Sequence, residues 1–327
     1  MKYISLSVAT VLLLSGCQSI LNQNQSDQHN TNVEADALID VASVAEINQA
    51  LLVDEAIDVI HPVADGNVDL GNEDKENYFS DDVWQRIRSN LNLTIPKNSR
   101  VASQRDWFVK HPTYLTRVAK RAEPFLFYIV EELEANNMPI EIALLPIVES
   151  AFDPFAYSHG RASGMWQFVP GTGKRFGMKQ NWWYDGRRDV VASTQGAIKY
   201  LKYLNEFFDG DWMLALAAYN SGEGRVRRAV RKNQKKNLPT DFWSLDLPKE
   251  TRAYVPKLLA LADIVKRSDE LKIKLHEIEN SSVLTQVNIG SQLDLAKAAQ
   301  LAELSLTELQ RLNPGFNRWA TDPDGPH

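Results

Sequence analysis

The chain has 327 residues, 44% of them hydrophobic and 24% charged, enough for one large domain or two ordinary ones with a sizeable core. Its net charge of −6 argues against nucleic acid as the main partner. A single cysteine excludes an intrachain disulfide.

Lys2 supplies a positive start, and Ile4 to Leu14 is a mostly apolar run too short to span a bilayer. Leu14-Ser15-Gly16-Cys17 closes it and resembles the lipobox of a bacterial lipoprotein signal. The resemblance implies a signal peptide over residues 1–16, removed by cleavage before Cys17, and a lipid on Cys17. Such anchoring holds because acyl chains add up, at about 0.8 kcal/mol per buried CH₂. It also implies a two-membrane envelope. Gln18 stands where retention at the inner membrane would want Asp, which favours the outer membrane, facing the periplasm. Residues 17–79 form an acidic and polar tether. "QNQSDQHNTN" lacks periodicity, although "ALIDVASVAEINQALLV" has patches able to form a helix.

From Ser80 the pattern turns helical. "SDDVWQRIRSNL" and "NSRVASQRDWFVKHP" predict two helices, and "PTYLTRVAKRAEPFLFYIVEELEANN" predicts one long one. "PIEIALLPIVES" opens on Pro139 and is expected to kink at Pro146. "RDVVASTQGAIKYLKYLNEFFDG" is amphipathic and stopped by Gly210, and "DWMLALAAYN" starts on an Asp211 cap. "GRVRRAVRKNQKK" carries a basic face that reads first as a solvated surface. "KETRAYVPKLLALADIVKRS" is expected to break near Pro256. No sustained period-two alternation interrupts this series, so residues 80–270 are expected to form one all-α domain.

Residues 280–327 form a smaller α+β unit. "SVLTQVNI" alternates as a strand does, and "QLDLAKAAQLAEL" and "SLTELQRLNPGF" predict short helices, the second capped by Ser305. The unit resembles the lysin motif (LysM), a carbohydrate-binding module built strand–helix–helix–strand. Gly290-Ser291 replaces the usual Gly-Asp opening and the last strand is missing, so the unit is degenerate or incomplete.

The chain holds no Walker loop, no Cys/His metal set and no G-x-S-x-G elbow, so no metal or cofactor is expected. Glu149 stands apart. Ile142, Leu145, Ile147 and Val148 precede it, and Phe152, Phe155 and Trp166 follow. Apolar walls disfavour a carboxylate and raise its pKa. A lift of about two pH units would keep it protonated near neutrality. Taken alone, Glu149 reads as a solvated helix end, as most glutamates do. Its surroundings favour the proton donor. Ser150 can bond the carboxyl or a sugar, Gly164 allows close backbone approach, Gln167 offers an amide, and Tyr219-Asn220 end a buried helix at a glycine-rich turn. Asp153, before Pro154, reads as a turn cap, and Asp185 and Asp189 as ion-pair partners around "GRR". Trp107, Trp182 and Trp183 read individually as core or rim packing.

"ESAFDPFAYS", "GRASGMWQFVPGTG", "AAYNSGEGRV" and "ETRAYVPKLLA" occur in that order. They resemble the four motifs of the lytic murein transglycosylases of glycoside hydrolase family 23, relatives of goose-type lysozyme. The match covers about half the chain and is specific as a set. Gly160-Arg161-Ala162-Ser163 departs from the family's simpler Gly-Ala pair.

The resemblance implies a lysozyme-like all-α catalytic domain acting on peptidoglycan glycan strands. It implies cleavage of the β-1,4 bond between N-acetylmuramic acid and N-acetylglucosamine, endo or exo, without hydrolysis. Glu149 would be the catalytic acid, and Ser150, Gly164, Met165, Gln167, Tyr219, Asn220 and Tyr254 would line the cleft. Asn220 and Tyr254 are the expected orienting groups. The expected state is a monomer, with outer-membrane lipid its other partner. Two alternatives stay open: a hydrolase of the same substrate, drawing on Asp153 or Asp185 to activate water, and a non-catalytic wall-binding lipoprotein.

Overall fold

The computed structural model describes residues 81–327, which belong to one compact unit. The signal peptide (1–16), Cys17 and the tether (17–79) lie outside the described residues. Twelve α-helices and two short 3₁₀ turns account for the regular structure among the described residues, joined by isolated β-bridges rather than a sheet. The mainly α architecture expected from the periodicity is present.

Helices α1 (Val83–Asn90) and α2 (Ser99–Lys110) start on side-chain caps, Asp82 accepting from the Trp84 N–H and Asn98 from the Arg100 N–H. The long helix expected next is two, α3 (Pro112–Ala122) and α4 (Leu126–Ala135). Pro124 lies between them, and a proline cannot donate to the carbonyl four residues back. The predicted kinked helix at 139–150 likewise resolves into a 3₁₀ turn (Ile140–Leu144) and α5 (Leu145–Ser150). Pro146 falls in the first turn of α5, where no intrahelical N–H is required. Helix α6 (Pro170–Arg175) was not predicted; Pro170 starts it.

Helices α7 (Val190–Phe207), α8 (Trp212–Ser221) and α9 (Glu223–Gln234) follow. Asp189 caps α7 through the Ala192 N–H, and Asp211 caps α8 through Met213 and Leu214. Exposed Arg225, Arg227, Arg228 and Arg231 give α9 its solvated basic face. Helix α10 (Lys249–Lys266) is continuous, contrary to the expected break, and Pro256 is buried within it. It packs on α2, α8, α5 and α1, so tertiary burial holds the helix together across the missing hydrogen bond. The core centres on α10 with Phe125, Ile129, Leu144, Phe152 and Trp166, all buried.

The C-terminal segment differs from the expected strand–helix–helix module. Residues 282–289 form no strand, and Val283, Val287 and Ile289 are exposed. An alternating pattern without a partner strand has nothing to pair with. The helices are present as α11 (Leu295–Leu301) and α12 (Leu306–Leu312), the latter with a full Ser305–Glu308 capping box. The chain then turns back. Leu295 N–H donates to the Trp319 carbonyl and Thr321 N–H to the Leu293 carbonyl, 2.7 and 2.9 Å. It also binds the segment before α7: Asp185 N–H to the Gly315 carbonyl, 2.8 Å, and Asn317 N–H to the Trp183 carbonyl, 2.7 Å. Buried Asp322 takes Lys179 at 2.9 Å and Asn181 Nδ2 at 2.6 Å. A Cβ on Gly315 would stand 2.7 Å from the Tyr184 ring, so glycine permits this approach.

Candidate functional site

Glu149 is the penultimate residue of α5. Two left-handed residues, Ala151 at φ 54° and Phe152 at φ 59°, end the helix directly after Ser150. Their N–H groups return to the Ile147 and Pro146 carbonyls at 3.3 and 3.1 Å. Non-glycine residues adopt this conformation at about 1–2 kcal/mol each, and the fully buried Phe152 ring offsets it. The sharp stop leaves Glu149, with Val148, partly exposed at the end of a helix whose other residues are buried.

Burial pushes the Glu149 carboxyl up to about 8. The Tyr254 hydroxyl, donating to Oε1, acts in the opposite direction. Glu250 adds repulsion and Lys257 attraction. The site thus holds a carboxylic acid that is mostly protonated at neutral pH beside a phenol. Tyr254 itself is buried on α10, and burial keeps its hydroxyl neutral, as it does that of Tyr219.

The other predicted site residues divide into two groups. Tyr219 and Asn220 come from the end of α8. The Tyr219 hydroxyl donates to the Trp166 carbonyl at 2.8 Å, tying α8 to the loop after Glu149. Asn220 does not orient Glu149 by a hydrogen bond. Its amide donates to Glu250 Oε1 at 3.0 Å and accepts from the Thr251 hydroxyl at 2.8 Å, joining α8 to the start of α10. Glu250 lies one turn before Tyr254 on α10, so the i, i+4 spacing in "ETRAY" was the available signal for its place at the site.

Ser150, Gly164 and Met165 hold the wall rather than face the opening. Ser150 is buried, and its hydroxyl donates to the Met165 carbonyl at 3.0 Å, not to the Glu149 carboxyl. The Met165 side chain is fully buried, so it does not line an open cleft. Gly164, at φ 80°, makes room for the protein's own backbone: a Cβ there would lie 1.9 Å from the Arg187 carbonyl oxygen. Gln167 donates to the Gly164 carbonyl at 2.8 Å and is only half-buried.

Arg187 was not singled out from the sequence. Its buried guanidinium bonds Asp185 at 2.6 and 2.9 Å and the Arg161 and Phe168 carbonyls at 2.7 and 3.1 Å. It therefore laces both ends of the 161–168 loop; the "DGRR" charge cluster was the only hint. Asp153 accepts from the Phe155 N–H at 2.9 Å, a turn cap, and Asp185 is the ion pair expected of it. Asp189 is instead the α7 cap. Among the described residues no group of three or more His, Cys, Asp or Glu is placed to hold a metal, and no helix is long and apolar enough to cross a membrane.

The site sets a partly exposed acid, hydrogen-bonded by a buried tyrosine, at the end of a short helix in an all-helical domain. The transglycosylase SLT domain model matches residues 127–241, and the LysM-like domain of lytic transglycosylase MltD matches residues 283–327. Membrane-bound lytic murein transglycosylase D of Escherichia coli (strain K12) is 40% identical over 326 residues, 100% of this chain and 67% of that protein. A protein of Alteromonas sp. (strain M-1) named for tributyltin chloride resistance is 44% identical over 200 residues, 60% of this chain and 95% of its own. Membrane-bound lytic murein transglycosylase C of Haemophilus influenzae (strain PittGG) is 31% identical over 134 residues, 37% of this chain and 38% of its own. The chain belongs to the lytic murein transglycosylase family.

Proposed function

We propose that the protein cleaves the β-1,4 bond between N-acetylmuramic acid and N-acetylglucosamine in peptidoglycan without water, leaving 1,6-anhydromuramyl ends. The observation that carries this reading is one carboxyl, Glu149, pushed up to about 8 by burial and hydrogen-bonded by Tyr254. Ordinary glycosidases use two carboxyl groups, one as acid and one as base or nucleophile. A single acid suffices when the acceptor is part of the substrate. Glu149 gives its proton to the glycosidic oxygen as the bond to the muramyl C1 breaks. The substrate's acetamido group or the enclosed site stabilises the cation-like C1. Glu149, now a carboxylate, takes the proton of the muramyl C6 hydroxyl as O6 bonds to C1. The proton count closes, and proximity favours the step because both reacting atoms belong to one sugar. Tyr254 orients Glu149 and stabilises the carboxylate between the two proton transfers. Asn220, Gln167 and Tyr219 shape the cleft.

A hydrolase reading needs a second carboxylate to activate water. Asp153 and Asp185, its candidates, are occupied by a turn cap and an ion pair. Glu250 is exposed and bound by Asn220, which leaves it the remaining candidate. Digestion of purified sacculi separates the readings by product mass. Anhydro ends are expected; reducing ends would establish hydrolysis, and no products would establish a binding protein.

The proposed division is a catalytic domain over 80–270 and a LysM-like unit over 280–327. We further propose a monomer anchored in the outer membrane through lipid on Cys17. Cys17→Ser should release the protein from the membrane fraction, and retention would count against the anchor.

A further inference from the structure

The C-terminal segment returns to the catalytic domain after α12 and is tied there from Gly315 to Gly325. The Gly315 carbonyl accepts from the Asp185 N–H at 2.8 Å, and the Asn317 N–H donates to the Trp183 carbonyl at 2.7 Å. The Asn317 side chain accepts from the Arg188 guanidinium and donates to the Asn181 carbonyl at 3.2 Å. The Phe316 ring packs on Tyr184, centroids 5.5 Å apart. Lys179 donates to the Gly325 carbonyl at 2.6 Å and pairs with buried Asp322. All these contacts fall on one stretch of the catalytic domain, residues 179–188.

That stretch has a second attachment. Arg187, buried within it, bonds Asp185 and reaches the Arg161 and Phe168 carbonyls, and Gly164 packs against its backbone carbonyl. The 161–168 loop in turn meets the site at two points. The Met165 carbonyl accepts from Ser150, the neighbour of Glu149, and the Trp166 carbonyl accepts from Tyr219. Three pieces are thus interlocked between Asn317 and the acid: the C-terminal return, the 179–188 stretch and the 161–168 wall. Buried polar groups make such a frame stiff, because leaving one unpaired costs about 1–3 kcal/mol. Retaining a substrate strand does not require these ties. A tethered module raises local concentration without bracing the active-site wall.

We infer that Asn317 is a positioning residue for the transglycosylase reaction: through the 179–188 stretch and Arg187, the C-terminal segment sets the 161–168 wall against Glu149. The inference rests on Glu149 being the acid of the proposed mechanism. It gives the wall a measurable consequence. Burial is what raises the Glu149 carboxyl, so a wall that relaxes and admits water lets it fall back toward its ordinary value. The titratable groups facing Glu149 are Tyr254, Glu250 and Lys257 on α10 and Tyr219 on α8. Asn317 bonds none of them, so a shift on its replacement reports the wall.

The test is the rate–pH profile of the full chain carrying Asn317→Ala, on solubilised peptidoglycan glycan strands. kcat should fall about five- to ten-fold, with KM within about two-fold of wild type. The alkaline limb should move down by about half a pH unit or more. Asn317→Asp keeps the acceptor for Arg188 and should recover most of the rate. A folded Asn317→Ala protein with wild-type kcat and limb would overturn the inference. So would a loss confined to KM, which would make the segment a substrate holder only, or a kcat loss with an unmoved limb, which would make Asn317 merely structural. Should Asn317→Ala fail to fold, Lys179→Ala, at the exposed side of the same junction, is read by the same criteria. Failure of the catalytic reading shows separately, as chain cleavage retained by Glu149→Gln.

Discussion

Replacing Glu149 with glutamine should inactivate the protein and stabilise it, and the stabilisation should depend on pH. The folded carboxyl sits at about 8 against an ordinary 4.5. An acid raised on folding holds a proton that the unfolded chain has released throughout the window between those values. Stability is therefore lost as pH rises through 4.5 to 8, and the penalty is complete above 8. At about 1.4 kcal/mol per pH unit, the full penalty is on the order of 5 kcal/mol, and on the order of 3 kcal/mol at pH 7. Glutamine has the shape of the protonated acid, can still accept from Tyr254, and does not titrate. Allowing for relaxation and residual unfolded-state structure, Glu149→Gln should gain roughly 2–3 kcal/mol on wild type near pH 7.5. That is about 4–12 °C in Tm for a protein of this size. Near pH 4.5 the two melting curves should coincide. Paired thermal melts at half-unit pH steps read the difference with all other titrations cancelled. A gap that is flat with pH, or largest at the acid end, would refute the buried-acid argument.

Tyr254→Phe removes the one bond that favours the carboxylate, so the Glu149 pKa rises further. The alkaline limb of the rate profile should move to higher pH, and kcat should fall about 10–100-fold; an unmoved limb would disconnect Tyr254 from the acid. Gly164→Ala drives a Cβ to 1.9 Å from the Arg187 carbonyl oxygen at a φ of 80°. It should cost about 3 kcal/mol or more in denaturant melts, and a loss below 1 kcal/mol would contradict that packing. Asp322→Ala leaves Lys179 and Asn181 without their buried acceptor. About 2–3 kcal/mol should go, with faster proteolysis around residues 313–325; unaltered cleavage there would show that the segment is held by other contacts.

The helices were largely legible because their signals are local. Asp211, Asn98 and Ser305 each cap a helix from the adjacent residues, and apolar spacing marks which face is buried. Local reading failed where a local pattern has two outcomes. Pro124 ends a helix and Pro256 does not; four other helices pack on α10 and hold it together across Pro256. The alternating 282–289 stretch looked like a strand but found no partner.

The sequence by itself determined that Glu149 sits among apolar residues and that the order of motifs is that of a lytic transglycosylase. Tertiary structure decided what each surrounding side chain does. Glu149 and Tyr254 are 105 positions apart, and no periodicity within a helix encodes their meeting. Ser150 and Gly164, whose residue types suit contact with a ligand, are instead used against Met165 and Arg187. The same long-range packing joins Trp182, which reads singly as core or rim packing, to Trp319, 137 positions further along the chain. Short-range preferences are set by neighbours within about four residues; a site is set by which elements the core brings together.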